Sequence, residues 1–128
     1  MKIGKLSQLT GCNIETIRYY EKIGLLNKPN RSEGNYRLYD DKHTKELKFI
    51  LKAKFLGFSL NQIRELKKLS ESKTLSSCSK VSKIATVNLK VINEKIHDLE
   101  NLRSQIESLL NCCKNNVEPS CPLINSLY

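Results

Sequence analysis

The residues with the most distinctive chemistry are four cysteines in the second half of the chain. Cys78 stands apart, whereas Cys112, Cys113 and Cys121 are grouped, with eight residues between Cys112 and Cys121 and seven between Cys113 and Cys121. Thiolates are soft ligands that suit zinc, cadmium, lead, mercury and copper(I), and they are also redox groups. Structural disulfides are disfavoured in a cytosolic chain. No C-x-x-C motif is present to support a disulfide oxidoreductase. Asn115, Asn116 and Pro119 favour a closed loop that returns Cys121 to the pair before it. Glu118 in that loop is a candidate oxygen donor, or simply a solvated carboxylate. Cys12, alone in the first half, falls at a helix turn and reads as core.

The other chemically loaded region is basic and aromatic. Residues 1–70 hold fifteen Lys and Arg against seven Asp and Glu, so nearly all of the net charge of +9 sits there. Arg18, Tyr19, Arg31, Tyr36 and Arg37 fall within it. Such a segment fits a polyanion partner. Composition alone fits a solvated basic face equally well.

Local patterning supplies the elements that would position these groups. Ile3, Leu6 and Leu9 make a short helical stripe that Thr10-Gly11 breaks, and Ile14, Ile17 and Tyr20–Glu21 make a second that Gly24 ends. Two short helices around a glycine turn are a helix-turn-helix pattern, or any short helical hairpin. Pro29, Gly34 and Asn35 are turn formers, and Tyr36 to Tyr39 alternate as a short strand does. Together they predict a β-loop, or wing, with Arg31 and Arg37 at its base and tip. Leu47, Ile50, Leu51 and Phe55 form the apolar face of a third helix. Ser59 caps a fourth that carries Leu60, Ile63, Leu66 and Leu69. Residues 70–77 are polar and read as a linker.

The last predicted helix is long, from Cys78 to Cys112. Ala85, Leu89, Ile92, Ile96, Leu99, Leu102, Ile106, Leu109 and Leu110 recur on it at alternating three and four spacing. Thirty-five residues span roughly 50 Å at 1.5 Å per residue, more than the width of so small a domain. The stripe therefore calls for a partner chain, and an antiparallel coiled-coil homodimer supplies one. In such a pair Cys78 of one chain meets the tail of the other, giving two sites built from Cys78, Cys112, Cys113 and Cys121. Cys113 also continues the stripe, so packing is its other reading. The fold expected is mainly α: a winged helix-turn-helix over 1–70, a linker over 71–77, a dimerisation helix over 78–112 and a Cys-bearing loop and tail over 113–128.

With 128 residues the chain is too short for a two-domain enzyme, and His43 and His97 are isolated and read as surface. No apolar run reaches the length of a membrane span, and the N-terminus lacks the apolar core of a secretory signal. The cytoplasm is the expected compartment.

The strings Ile14-Glu15-Thr16-Ile17-Arg18-Tyr19-Tyr20-Glu21, Gly24-Leu25-Leu26, Arg31 with Asn35-Tyr36-Arg37-Leu38-Tyr39, and Leu56-Gly57-Phe58-Ser59-Leu60 with Ile63, taken in order, resemble the MerR family of transcriptional regulators. The resemblance extends over nearly the whole chain. It implies a dimer on duplex promoter DNA whose two polymerase-recognition elements are set too far apart. It further implies that an effector makes the dimer bend and underwind the spacer so that RNA polymerase engages both. By the same resemblance Glu15, Thr16, Arg18 and Tyr19 meet DNA from the second helix, and Arg31, Tyr36 and Arg37 meet it from the wing. Their chemistry agrees, since arginine forks bind base edges and phosphates and tyrosines reach phosphate. Lys5 and Lys54 are weaker phosphate candidates, and Ile17 and Tyr20 read as core.

The tail resembles the metal-sensing branches of that family, in which loop thiols bind the ion and a cysteine at the start of the dimer helix accompanies divalent ions. Copper(I) sensors of the family usually carry serine there. Charge accounts for the difference, because two thiolates suffice for a monovalent ion whereas a soft divalent ion favours three or four sulfurs. Cys78 thus points to a divalent effector, with cadmium and lead ahead of zinc and mercury close behind. The Cys113-x7-Cys121 spacing also fits copper(I) sensors, and a thiol or redox sensor is a further alternative.

Overall fold

The computed structural model describes residues 1–72, 75–114 and 121–128. Its elements run α1 (Ile3–Thr10), α2 (Ile14–Lys22), β1 (Asn30–Arg31), β2 (Arg37–Leu38), α3 (Asp41–Phe55), α4 (Leu60–Ser72), α5 (Leu75–Lys114) and α6 (Pro122–Ser126). The chain falls into two compact units, Met1–Ile84 and Ala85–Tyr128.

In the first unit several helix boundaries have a local cause. α1 ends where Gly11 takes φ 74° and its N–H returns to the Ser7 carbonyl, a conformation that costs glycine least. Asn13 caps α2, its side chain accepting the Thr16 N–H at 2.8 Å. Asp40 caps α3 in a reciprocal box with His43. Ser59 does the same for α4, with Gln62 N–H on its hydroxyl at 3.2 Å and its own N–H on the Gln62 side chain at 2.9 Å. Hydrogen bonding from the His43 backbone holds the Asp40 carboxyl below its ordinary range. The cap therefore contributes at neutral pH and is lost as the solution is acidified through that carboxyl's titration.

The core of this unit is Leu6, Ile17, Tyr20, Leu25, Leu26, Tyr39, Leu47, Ile50, Ala53 and Ile63, with Cys12 buried among them. Ile17, Tyr20 and Cys12 thus sit where the sequence put them, and burial pushes the Cys12 thiol pKa up. Two expectations fail. Phe55 is 89% exposed, because five residues beyond Ile50 carry it about 140° round a helix of 3.6 residues per turn. His43 is buried rather than at the surface. It lies four residues before Leu47 on the inward face, edge-on to the Tyr39 ring at 5.4 Å.

β1 and β2 pair antiparallel, Asn30 with Leu38 and Arg31 with Arg37. The two arginines therefore face each other across the hairpin rather than marking its base and tip. Asn35, at φ 63°, turns the connecting loop.

The long helix exceeds its expected bounds of 78–112 at both ends. Of the expected linker 71–77, residues 71–72 close α4 and 75–77 open α5, while 73 and 74 lie outside the described residues. The segment is polar but contains no Gly or Pro to stop a helix. In the second unit Leu89, Ile92, Ile96, Leu99, Leu102, Ile106 and Leu110 are between 39% and 64% exposed. No helix among the described residues is long and apolar enough to cross a membrane.

Leu47→Ala removes a side chain with no exposed surface and is expected to destabilise the fold by about 2–5 kcal/mol. Denaturant unfolding measures it, and a loss under about 1 kcal/mol would place Leu47 outside the organising core.

Candidate nucleic-acid interface and thiol site

α2 presents the candidate recognition surface because its two faces differ. Ile17, Tyr20 and Glu21 are buried, whereas Glu15, Arg18 and Tyr19 are exposed and Thr16 is half-buried at the capped first turn. The far end of α2 is fixed from α4. Arg64 donates to the Ile23 carbonyl at 2.7 Å and Lys67 to the Leu25 carbonyl at 2.8 Å. Cations there satisfy carbonyls just beyond the helix end and complement the helix dipole. Glu46 completes this corner, pairing with Lys67 at 3.6 Å and accepting from the Asn27 N–H at 3.2 Å.

The wing stands beside α2. Arg18, Lys22, Lys28, Arg31 and Arg37 line one open cleft with Glu21 and Pro29. Five cations around one concavity are suited to a phosphate chain. Of the residues singled out from sequence, the structure gathers Arg18, Arg31 and Arg37 in this cleft. Arg31 donates to the Asn35 carbonyl at 3.2 Å, and Arg37 pairs through Nε with Glu21 at 3.4 Å. Glu15, Thr16, Tyr19 and Tyr36 are not among the residues lining it. Tyr36 lies exposed in the hairpin loop with the Lys2 ammonium 5.4 Å from its ring centre, and Tyr19 is half-exposed beside Tyr20.

Sequence reasoning assigned no role to Glu21, Lys22, Lys28, Arg64 or Lys67. Glu21 had a usable signal, because it is four residues from Ile17 on the buried face of α2. Lys28, Arg64 and Lys67 had none, since lysine and arginine on a helix or loop are most often solvated.

The thiol group lies in the second unit. Cys113, on the last turn of α5, and Cys121, at the N-cap of α6, bring their Sγ atoms to 3.9 Å. Both are half-buried, Cys112 is exposed, and no cysteine is in a disulfide. Two sulfurs on one tetrahedral ion with bonds of about 2.3 Å stand about 3.8 Å apart, so this pair fits a shared soft metal. No set of three or more ligand-type residues forms among the described residues. Glu118 and the turn residues Asn115, Asn116 and Pro119 lie outside them. Cys78 is an exposed residue near the start of α5, in the first unit.

The family models agree with this architecture. Residues 1–69 match the MerR HTH family regulatory protein, and residues 44–109 match the MerR DNA-binding model. The chain belongs to the MerR family. MerR proteins are transcription regulators and not enzymes. The HTH-type transcriptional regulator HmrR of Rhizobium leguminosarum bv. viciae is 39% identical over 99% of this chain and 97% of its own. The mercuric resistance operon regulatory protein of Shigella flexneri is 38% identical, over 99% and 87%. Among solved structures, the regulator PbrR691 from Ralstonia metallidurans CH34 in complex with lead(II) superposes with TM-score 0.83, at 34% identity over 100% of this chain and 99% of that one.

Replacing Arg18 by Ala is expected to cost about 1–3 kcal/mol of operator binding while leaving the fold intact, since its side chain is outside the core. Binding isotherms at physiological salt decide it: unchanged affinity would put Arg18 outside the interface.

Proposed function

We propose that this MerR protein is a homodimeric metal sensor that activates a resistance or efflux promoter when a soft divalent ion is bound by thiolates. Residues 1–70 act as the DNA-binding part, 78–112 as the dimerisation helix and 113–128 as the sensing loop and tail. The observation that carries the reading is the approach of Cys113 to Cys121 at 3.9 Å, a pair that matches two bonds to one thiophilic ion. Cys112, next in sequence, and the partner's Cys78 complete a sulfur-rich set. Cadmium and lead come ahead of zinc, with mercury close behind. The likeness to a lead-bound regulator and to a mercuric resistance regulator supports that class of ion. The ion, when held, supplies charge neutralisation that lets several thiolates stay together.

Dimerisation follows from α5. Its open apolar stripe from Leu89 to Leu110 has the period of a helix–helix seam. On the DNA side, α2 and the wing hold each half of a spacer, and a change in how the halves are held alters the duplex between them. Bending a site of about 20–30 base pairs costs roughly 1–6 kcal/mol, within reach of a few metal–thiolate bonds. RNA polymerase then meets a promoter whose elements are correctly disposed.

A second reading, copper(I) sensing, draws on the same observation, since Cys113 and Cys121 are brought together while Cys112 stays exposed. It needs those two thiols alone and leaves Cys78 without a role.

Charging the seam should break the dimer. Asp at both Ile92 and Leu99 buries unpaired charge, so the variant is expected to sediment as a monomer or to unfold, whereas an intact dimer would place the seam elsewhere. Cys78→Ser and Cys121→Ser should each abolish induction and preserve operator binding. A heterodimer with Cys78→Ser in one chain and Cys121→Ser in the other separates the models. With cross-chain sites, one site loses both thiols and the other keeps its full set, so one high-affinity ion per dimer is expected in a cadmium titration. Finding none would show that each site is built within one chain. Undiminished induction by copper(I) in Cys78→Ser would favour the second reading.

A further inference from the structure

Among the described residues, Glu21 is the one carboxylate in a cleft lined by five cations, and it is buried, with 7% of its side chain exposed. It sits on α2, whereas its partners belong to the wing. One oxygen accepts the hydroxyl of Tyr39, which itself is 2% exposed, and the other lies 3.4 Å from Arg37 Nε. The wing needs such an anchor. Its strands are two residues each, and a hairpin that short is not stable by itself. Burial, and then the bond to Glu21, raise the Tyr39 phenol pKa well above its ordinary value, so the hydroxyl remains a donor at any physiological pH. The pair uses the Nε edge of the Arg37 guanidinium, and a guanidinium has further donors on its terminal nitrogens.

We infer that Glu21 is a positioning residue for DNA binding: it fixes the wing to the recognition helix so that Arg37 and Arg18 present a single preset pair of cations to the phosphate backbone. This rests on the reading of the cleft as a DNA surface. It deepens that reading by giving an acidic residue a favourable role in it. The sign of the effect is what separates it from simple electrostatics. An anion beside a phosphate chain repels it, so removing the charge should tighten binding if Glu21 did nothing else. A positioning role demands the reverse.

The experiment measures affinity of the full-length protein for a mixed-sequence DNA duplex across a salt series, with thermal unfolding of every variant. Glu21→Gln is expected to bind about tenfold more weakly at physiological salt and to lose about one unit of salt slope, as if one phosphate contact were gone. Glu21→Asp, which keeps the charge, is expected to recover part of the loss. In an Arg37→Met background Glu21→Gln should cost nothing further, the non-additivity of two groups in one interaction. Binding by Glu21→Gln that equals or exceeds wild type overturns the inference, as does a loss that persists at full size without Arg37. If Glu21→Gln does not fold, Tyr39→Phe, which removes only the hydroxyl, takes its place in the same cycle and is judged by the same outcomes. If Arg18→Ala and Arg37→Met both bind as wild type, the cleft is not a DNA surface and both ideas fall. If they weaken binding and Glu21→Gln does not, only the positioning role is lost.

Discussion

The apolar stripe of α5 is more than one chain can cover. Over Ala85–Lys114 most of its leucines and isoleucines lie open to solvent, and the hydrophobic effect disfavours leaving a seam of that length wet. Everything proposed for the molecule follows from closing that seam with a second copy. In the proposed dimer two α2 helices face two half-sites, and each tail gains a neighbour that contributes Cys78. Under the proposed function, metal sensing is tied to the same burial that makes the dimer, so that a few bonds at one end of a helix bear on DNA contacts elsewhere.

The first unit solves a different problem, that of holding a small recognition helix still. α2 has nine residues, too few to be stable alone, and its fixity comes from its neighbours. Asn13 closes the N-terminal turn, Arg64 and Lys67 take up the carbonyls just beyond its end, and Ile17 and Tyr20 enter the core. Two of these contacts cross between elements: polar side chains of α4 satisfy backbone carbonyls just after α2, so that displacing α4 would unbond that segment. The candidate recognition helix and α4 are therefore not independent.

Much of this was legible from residue order. Periodicity located Leu6, Ile17, Leu47, Ile50 and Ile63 because apolar side chains at helical spacing have one place to go. Gly11 and Gly24 marked helix ends through the left-handed conformations they adopt. The misses share a cause. Phe55 and His43 were judged by residue type, and position on the helix overrode type in both. Glu21 is a charged residue on a buried face, where its partners Tyr39 and Arg37 come from sixteen or more residues along the chain, and no local rule supplies them. In the tail, spacing left Cys112 and Cys113 as equal candidates for pairing with Cys121. The half-buried side of the last turn of α5 distinguishes them, bringing Cys113 to Cys121.

Cys12 stands outside the sensing chemistry, and its burial has a practical use. A thiol buried among Leu6, Ile17 and Tyr20, with its ionisation suppressed, reacts slowly with alkylating reagents. In the folded protein such a reagent therefore counts the cysteines of α5 and the tail. The fifth thiol answers only when the core opens. One label added before and after denaturation thus reports protection of the α5 and tail thiols, as the proposed metal would give, and integrity of the DNA-binding unit from a single sample, with Cys12 as the internal standard.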